Sequence, residues 1–193
     1  MNVLLGVSGG IAAYKSAYLV REFVKRGDDV RVVMTESAQE FITPMTLQVL
    51  SENRVGTEVF DASYESEIGH IDLARWADVV MVAPATADVI ARMARGMGDD
   101  LLTTVILATR APVVVAPAMN TQMWEHPLVQ KNLGVLVDEA GYQIVDPDAG
   151  ELACKEVGAG RMPDPPDLVE ACLEATAEPT LEGKQVLVTA GPT

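Results

Sequence analysis

Four short runs carry apolar residues on nearly successive positions: Val3–Val7, Val30–Met34, Val79–Ala83 and Val113–Ala116. Strands of this kind are covered on both faces, the pattern of a parallel sheet flanked by helices. Between them the apolar spacing turns helical. Ile11–Arg26 is one such stretch, and Gly27 behind it suits a helix C-cap. Ala85–Ala94, Leu101–Ala108, Met123–Leu133 and Leu168–Ala175 read as further helices, with Pro163, Pro165 and Pro166 punctuating a loop before the last. Strand and helix in alternation predict an α/β fold: a doubly wound parallel sheet in a Rossmann-like three-layer sandwich, with right-handed crossovers. Ligands of such folds sit beyond the carboxyl ends of the strands.

No repeat or low-complexity tract interrupts the pattern. Beyond Pro179 a new strand begins at Lys184–Val188 and meets a glycine turn at Thr189–Thr193. The expected organisation is therefore one domain over 1–179, followed at 180–193 by a linker and the first strand of a second α/β domain, cut short.

The 193 residues are enough to bury a core without staples, and 49% hydrophobic with 22% charged is a globular balance. Acidic residues number 28 against 14 Lys plus Arg, a formal charge of −14. Such a surface repels phosphate backbones and anionic bilayers, so neither nucleic acid nor a membrane is an expected partner. Two cysteines, Cys154 and Cys172, make neither a disulfide framework nor a zinc-site spacing. No metal site is expected. The chain opens directly into a strand without a leader, which makes the cytoplasm the expected compartment.

After the first strand comes Ser8-Gly9-Gly10 and then a helix start, a turn that suits a phosphate or serves as plain strand-to-helix punctuation. It is neither a Walker loop nor a full dinucleotide fingerprint. After the second, Glu36 stands where an acid holds a ribose in dinucleotide sites, but Thr35 and Ser37 beside it suit a terminal phosphate, or a helix N-cap. Two further strands close on the same Ala-Pro-Ala step, Ala83-Pro84-Ala85-Thr86 and Ala116-Pro117-Ala118-Met119-Asn120. Small residues with proline make a rigid rim against which a flat ring can lie.

Few side chains offer chemistry. His70 lies just ahead of a buried strand, and a histidine near a cleft can act as a base. Asn120 ends a buried strand, as a carboxylate-binding amide or as a turn former. Cys154 sits in a glycine-containing loop beside Lys155, which can lower a thiol pKa, whereas Cys172 falls on an apolar helix face. His126, ahead of Pro127, reads as structural.

Together these segments resemble the flavin-dependent cysteine decarboxylases, and within them the phosphopantothenoylcysteine decarboxylases fused to a ligase. The resemblance runs over Met1–Pro179. It is carried by Ser8–Lys15, His70-Ile71-Asp72-Leu73, Ala83–Ala87, Pro117–Asn120 with Met123-Trp124, and Gly150–Cys154 with Gly158, Gly160, Arg161 and Met162. Val186–Thr193 is similar to the start of the ligase half, which uses CTP and Mg2+.

The resemblance implies a flavodoxin-like fold, bound FMN at a subunit interface, and trimers, commonly four to a dodecamer. It implies decarboxylation of 4'-phospho-N-pantothenoylcysteine to 4'-phosphopantetheine in coenzyme A biosynthesis, through a thioaldehyde and an enethiolate, without ligase activity in this stretch. By position, Ser8, Gly9, Gly10, Thr35, Ser37, Pro84, Thr86, Thr103 and Thr104 would surround the flavin. Ala118, Met119, Asn120 and Arg161 would meet the substrate, with His70 as base, Asn120 as carboxylate ligand and Cys154 on a flap as proton donor. Lys155 departs from the glycine of many relatives, and Asp99 stands where Asn is also seen. Decarboxylation of a peptide's C-terminal cysteine, flavin-dependent prenyl transfer and a non-catalytic phosphatase regulator are the competing readings. The ligase-like tail argues against the first, the Pro-Ala-Met-Asn and Cys-loop motifs against the second, and His70, Asn120 and Cys154 together against the third.

Overall fold

A computed structural model describes residues 1–59, 69–151 and 157–177. Its main sheet is built from β1 (Asn2–Val7), β2 (Asp29–Met34), β3 (Val79–Ala85), β4 (Val113–Pro117) and β5 (Gln143–Ile144). The order is β2-β1-β3-β4-β5 and every pairing is parallel. The chain runs from β1 outward to β2, then crosses back to lay β3 on the other side of β1. That reversal leaves a crevice at the carboxyl ends of β1 and β3, the place where doubly wound sheets hold ligands.

Continuous apolar strands divide between two cores because successive side chains point to opposite faces. Val3, Leu5 and Val7 pack with Leu19, Val20 and Phe23 of α1 (Ala13–Arg26) and with Leu168 and Cys172 of α8 (Pro165–Thr176). Leu4, Val80 and Val82 pack on the other face with Leu73 of α3 (His70–Trp76), Ile90 of α4 (Ala87–Ala94), Leu102 and Val105 of α5 (Leu101–Ala108), and Leu133 of α7 (Pro127–Asp138). Fully buried leucines and phenylalanines of this kind contribute about 1.5–3 kcal/mol each. Gly6 keeps β1 smooth where Leu102 lies on it; a Cβ there would collide with the leucine methyls.

Helix ends follow their sequence signals. Gly27 closes α1 with φ 88°, and its N–H reaches the Phe23 and Val24 carbonyls. Among the described residues no helix is long and apolar enough to cross a membrane.

Several elements differ from the sequence expectation. β3 extends to Ala85, so α4 starts at Ala87, with Thr86 as N-cap accepting from the Val89 N–H at 3.4 Å. The stretch expected as one helix around Met123–Leu133 is two, α6 (Thr121–Trp124) and α7. Pro127 forces the break: the residue before a proline avoids helical backbone, and His126 instead caps α7 by accepting from the Leu128 N–H at 3.2 Å. Pro165 and Pro166 open α8 rather than a loop. The loop expected around Cys154 is flanked by an antiparallel hairpin, β6 (Asp148–Glu151) and β7 (Val157–Arg161). A short helix α2 (Pro44–Ser51) follows a 3-10 turn at Glu36–Glu40. Cys154, the boundary near 179 and the ligase-like tail lie outside the described residues.

Candidate functional site

The crevice is framed by a buried hydroxyl. Ser8, wholly shielded from solvent, donates to the Pro84 carbonyl at 2.7 Å and accepts from the Thr86 N–H at 3.0 Å, with the Thr86 hydroxyl 3.3 Å away. Ser8 thereby fixes the end of β1 to the end of β3. Its oxygen faces protein on these sides, and its part is to hold the rim in shape.

Beside it opens a cleft of about 570 Å³, lined by Gly9, Gly10, Ile11, Ala12, Tyr14, Lys15, Thr86, Ala87, Ala118, Met119, Asn120, Met123, Gly160, Arg161 and Met162. Gly9 is pinched against Ser37, where a Cβ would overlap the serine. Among the described residues none accepts a hydrogen bond from the Gly9, Gly10, Ile11 or Ala12 N–H. These donors sit at the positive end of the 14-residue α1, the geometry that binds anions. The remaining wall is largely apolar, with Met119, Met123, Met162 and Tyr14, a surface for a flat ring.

The far wall comes from the hairpin. The Met119 N–H donates to the Gly160 carbonyl at 3.0 Å, which joins β7 to the Asn120 loop. Gly160 has φ 139°, and a side chain there would run into the Met119 carbonyl. Lys15 spans the cleft floor: its side chain is 10% exposed, and its ammonium donates to the Met162 carbonyl at 2.7 Å and to Asp164 Oδ1 at 3.0 Å. Arg161 Nη2 lies 3.4 Å from the same oxygen. The hydrogen bond from Lys15 and its charge hold the Asp164 carboxyl below the usual carboxylate range.

Of the residues singled out in the sequence, Gly9, Gly10, Thr86, Ala118, Met119, Asn120 and Arg161 come together in this cleft. Asn120 caps α6, its Oδ1 accepting from the Gln122 N–H at 2.8 Å. Thr35 caps the 3-10 turn, accepting from Ala38 at 3.3 Å, and its hydroxyl meets that of Ser37 at 3.1 Å. Thr103 is buried in a capping box with Asp100. Thr104 follows it in α5, its buried hydroxyl without a hydrogen-bond partner among the described residues. Neither threonine lines the cleft, and neither does His70, the first residue of α3. Ile11, Tyr14, Lys15 and Met162 are part of the sequence motifs but carry no site role there; the structure sets all four in the cleft lining. Ile11, just ahead of α1, and Tyr14, in its first turn, are apolar yet exposed.

A second cavity, of about 670 Å³, lies among Ile71, Ala74, Arg75, Ala77, Ala108, Arg110 and Ala111, toward the amino ends of β3 and β4. It is away from the strand ends where the fold gathers ligands. Cys172 is buried in the core with its thiol pushed up to about 12, chiefly by burial.

The Flavoprotein family profile matches residues 1–177. The chain belongs to the Flavoprotein family. It is 56% identical to the coenzyme A biosynthesis bifunctional protein CoaBC of Vibrio cholerae over all of this chain and 48% of that one. The chain thus spans about half the length of the curated relatives it matches. Among solved structures it is similar to a mutant PPC decarboxylase complexed with pantothenoylaminoethenethiol, 35% identical with a TM-score of 0.76, covering 90% of this chain and 96% of that one. It is likewise similar to the FMN-dependent cysteine decarboxylase SpaF, 31% identical with a TM-score of 0.75, covering 92% of this chain and 98% of the other.

The cleft of this Flavoprotein family member fits a flavin by its own chemistry. Four N–H groups at a helix start could meet an anionic tail, the Ser37 hydroxyl stands against Gly9, and the methionine-rich wall could accept a ring.

Proposed function

We propose that this chain is an FMN-dependent decarboxylase that converts 4'-phospho-N-pantothenoylcysteine to 4'-phosphopantetheine in coenzyme A biosynthesis. The observation that carries the reading is the cleft at the switch point, which unites the open N–H groups of Gly9–Ala12 with Asn120 and the β6–β7 hairpin. The names of the relatives support the same assignment. Their greater length supports a ligase domain fused to this stretch in the full protein, and any need for CTP and Mg2+ would lie with that domain.

When bound, FMN would supply the two-electron redox chemistry that takes the cysteinyl thiol to a thioaldehyde and completes the reduction after CO2 has left. Gly9, Gly10 and Ser37 would hold the FMN phosphate, with Thr35 bracing Ser37, and Pro84 and Thr86 forming the rim under the ring. His70 takes the thiol proton. The Asn120 amide orients the carboxylate, whose bonding electrons pass to the thiocarbonyl sulfur as CO2 departs. Ala118, Met119 and Arg161 line the substrate's path. Cys154 gives the proton for the final reduction. Of the two cysteines, Cys172 is packed in the core, which leaves Cys154 for that role.

On this reading His70 of a neighbouring copy would complete the site, in a trimer or four trimers, and His70 is not among the residues lining the cleft of its own chain. The test is an absorbance spectrum with the chromophore identified by mass, followed by CO2 release from the phosphorylated substrate. FMN near one per chain with CO2 release sustains the reading; a protein that takes up no FMN defeats it.

A further inference from the structure

Asp164 occupies the N-cap of α8, yet its side chain caps nothing. The reason is local: Pro165 and Pro166 at the first two helical positions have no N–H to offer, and the Asp167 N–H goes to the Asp164 backbone carbonyl at 3.1 Å. A carboxylate released from capping is available elsewhere. It reaches Lys15, 149 positions earlier, and Arg161, three earlier, and both cations meet the same oxygen, Oδ1.

Lys15 needs this partner. An ammonium nearly out of solvent is costly unless paired and hydrogen-bonded, and its other acceptor is the Met162 carbonyl. Between Gly160 and Asp164, then, three ties hold the strand leaving the hairpin: Gly160 to Met119, Met162 to Lys15, and Arg161 to Asp164. Lys15 belongs to the first turn of α1, directly behind the open N–H groups of Gly9–Ala12.

We propose that Asp164 is a positioning residue of the decarboxylation site, whose carboxylate holds Lys15 and Arg161 together and so fixes β7 and the Arg161 guanidinium against the first turn of α1. Without that charge two cations face each other across the cleft floor and Arg161 swings from its place on the wall. The inference rests on the proposed decarboxylation only in assigning Arg161 to substrate; the tie between β7 and α1 stands apart from it.

The test compares Asp164→Asn and Asp164→Glu with the wild type, each as FMN-loaded protein. In Asp164→Asn the amides of residues 157–161 exchange with deuterium about tenfold faster while those of β1, β3 and β4 keep their rates. The KM for the phosphorylated substrate rises about tenfold with kcat changed less than about threefold. Asp164→Glu, which keeps the charge, lies closer to the wild type on both measures. Unchanged exchange at 157–161, a rise spread evenly over the sheet, or equal behaviour of the two variants overturns the proposal. If the wild type releases no CO2 from the substrate, the decarboxylation reading falls and the exchange pattern alone decides the role of Asp164.

Discussion

Ser8 and Thr86, 78 positions apart, are joined by a hydroxyl–hydroxyl contact of 3.3 Å and by the Thr86 N–H donating to Ser8 at 3.0 Å. That contact closes the rim of the crevice across the reversal point of the sheet. Replacing Ser8 with Ala leaves the Thr86 N–H and one Pro84 acceptor position unmet in a dry environment. The expected loss is about 1–3 kcal/mol of stability, read from urea unfolding, with less flavin retained per chain. An unchanged midpoint and full flavin would show that the contact is incidental.

Gly9→Ala places a Cβ into Ser37, part of the proposed phosphate cradle. Spectra of the purified variant are expected to show most of the flavin lost while far-ultraviolet circular dichroism stays native. Gly10→Ala is the contrast: its Cβ would meet only Thr86 Cγ2 at 3.6 Å, an ordinary contact, so flavin should be largely kept.

His70→Asn is expected to remain yellow and to lose CO2 release by at least about a hundredfold, the scale of a missing general base. Turnover at the wild-type rate would remove His70 from the chemistry.

The two thiols should separate cleanly. With the Cys172 thiol pushed up to about 12 inside the core, native protein at neutral pH should protect it from thiol reagents until urea unfolds the chain. Cys154→Ser should therefore leave no fast-reacting thiol. The same variant is expected to release CO2 but stop at the unsaturated thiol, which mass spectrometry would identify; normal 4'-phosphopantetheine from it would refute the proton-donor role.

Asp28 supplies a pH test. Burial alone would raise its carboxyl, but hydrogen bonds from Arg26 at 2.9 Å and the Met1 ammonium at 3.0 Å, with their charges, leave it below the usual range. A depressed folded-state pKa contributes stability above the unfolded value that disappears as pH falls through the folded one. Asp28→Asn should then cost about 1–3 kcal/mol at pH 7, and the gap in melting temperature to the wild type should shrink as the pH approaches 3. A constant gap would mean that the ion pairs add nothing.

Much of the fold was legible because its signals are local. The apolar runs of β1–β4 and the helical spacing ending at Gly27 are set by neighbours a few positions apart, and the structure follows them closely. The glycine turn after β1 and the Ala-Pro-Ala steps could be placed at strand ends on the same grounds. β5 was too short to leave a pattern, and β6 and β7, with Gly150, Gly158 and Gly160, hold a single branched residue, Val157, and no aromatic one, too little to mark strands. Gly158 and Gly160 are there for closeness, to Thr121 and Met119, not for strand propensity.

Sequence by itself determined the alternation of strand and helix, the two-faced burial of the sheet and the types of residue at the strand ends. Tertiary structure alone decided what those residues do to one another: that Ser8 fastens the rim, that Lys15 turns to Asp164, that Asn120 and Arg161 share a wall and that His70 does not line their cleft. The physical reason is one of range. Periodicity and capping are fixed within a turn or a few residues, whereas these partners lie far apart in the chain and meet only through the order in which parallel strands are laid side by side.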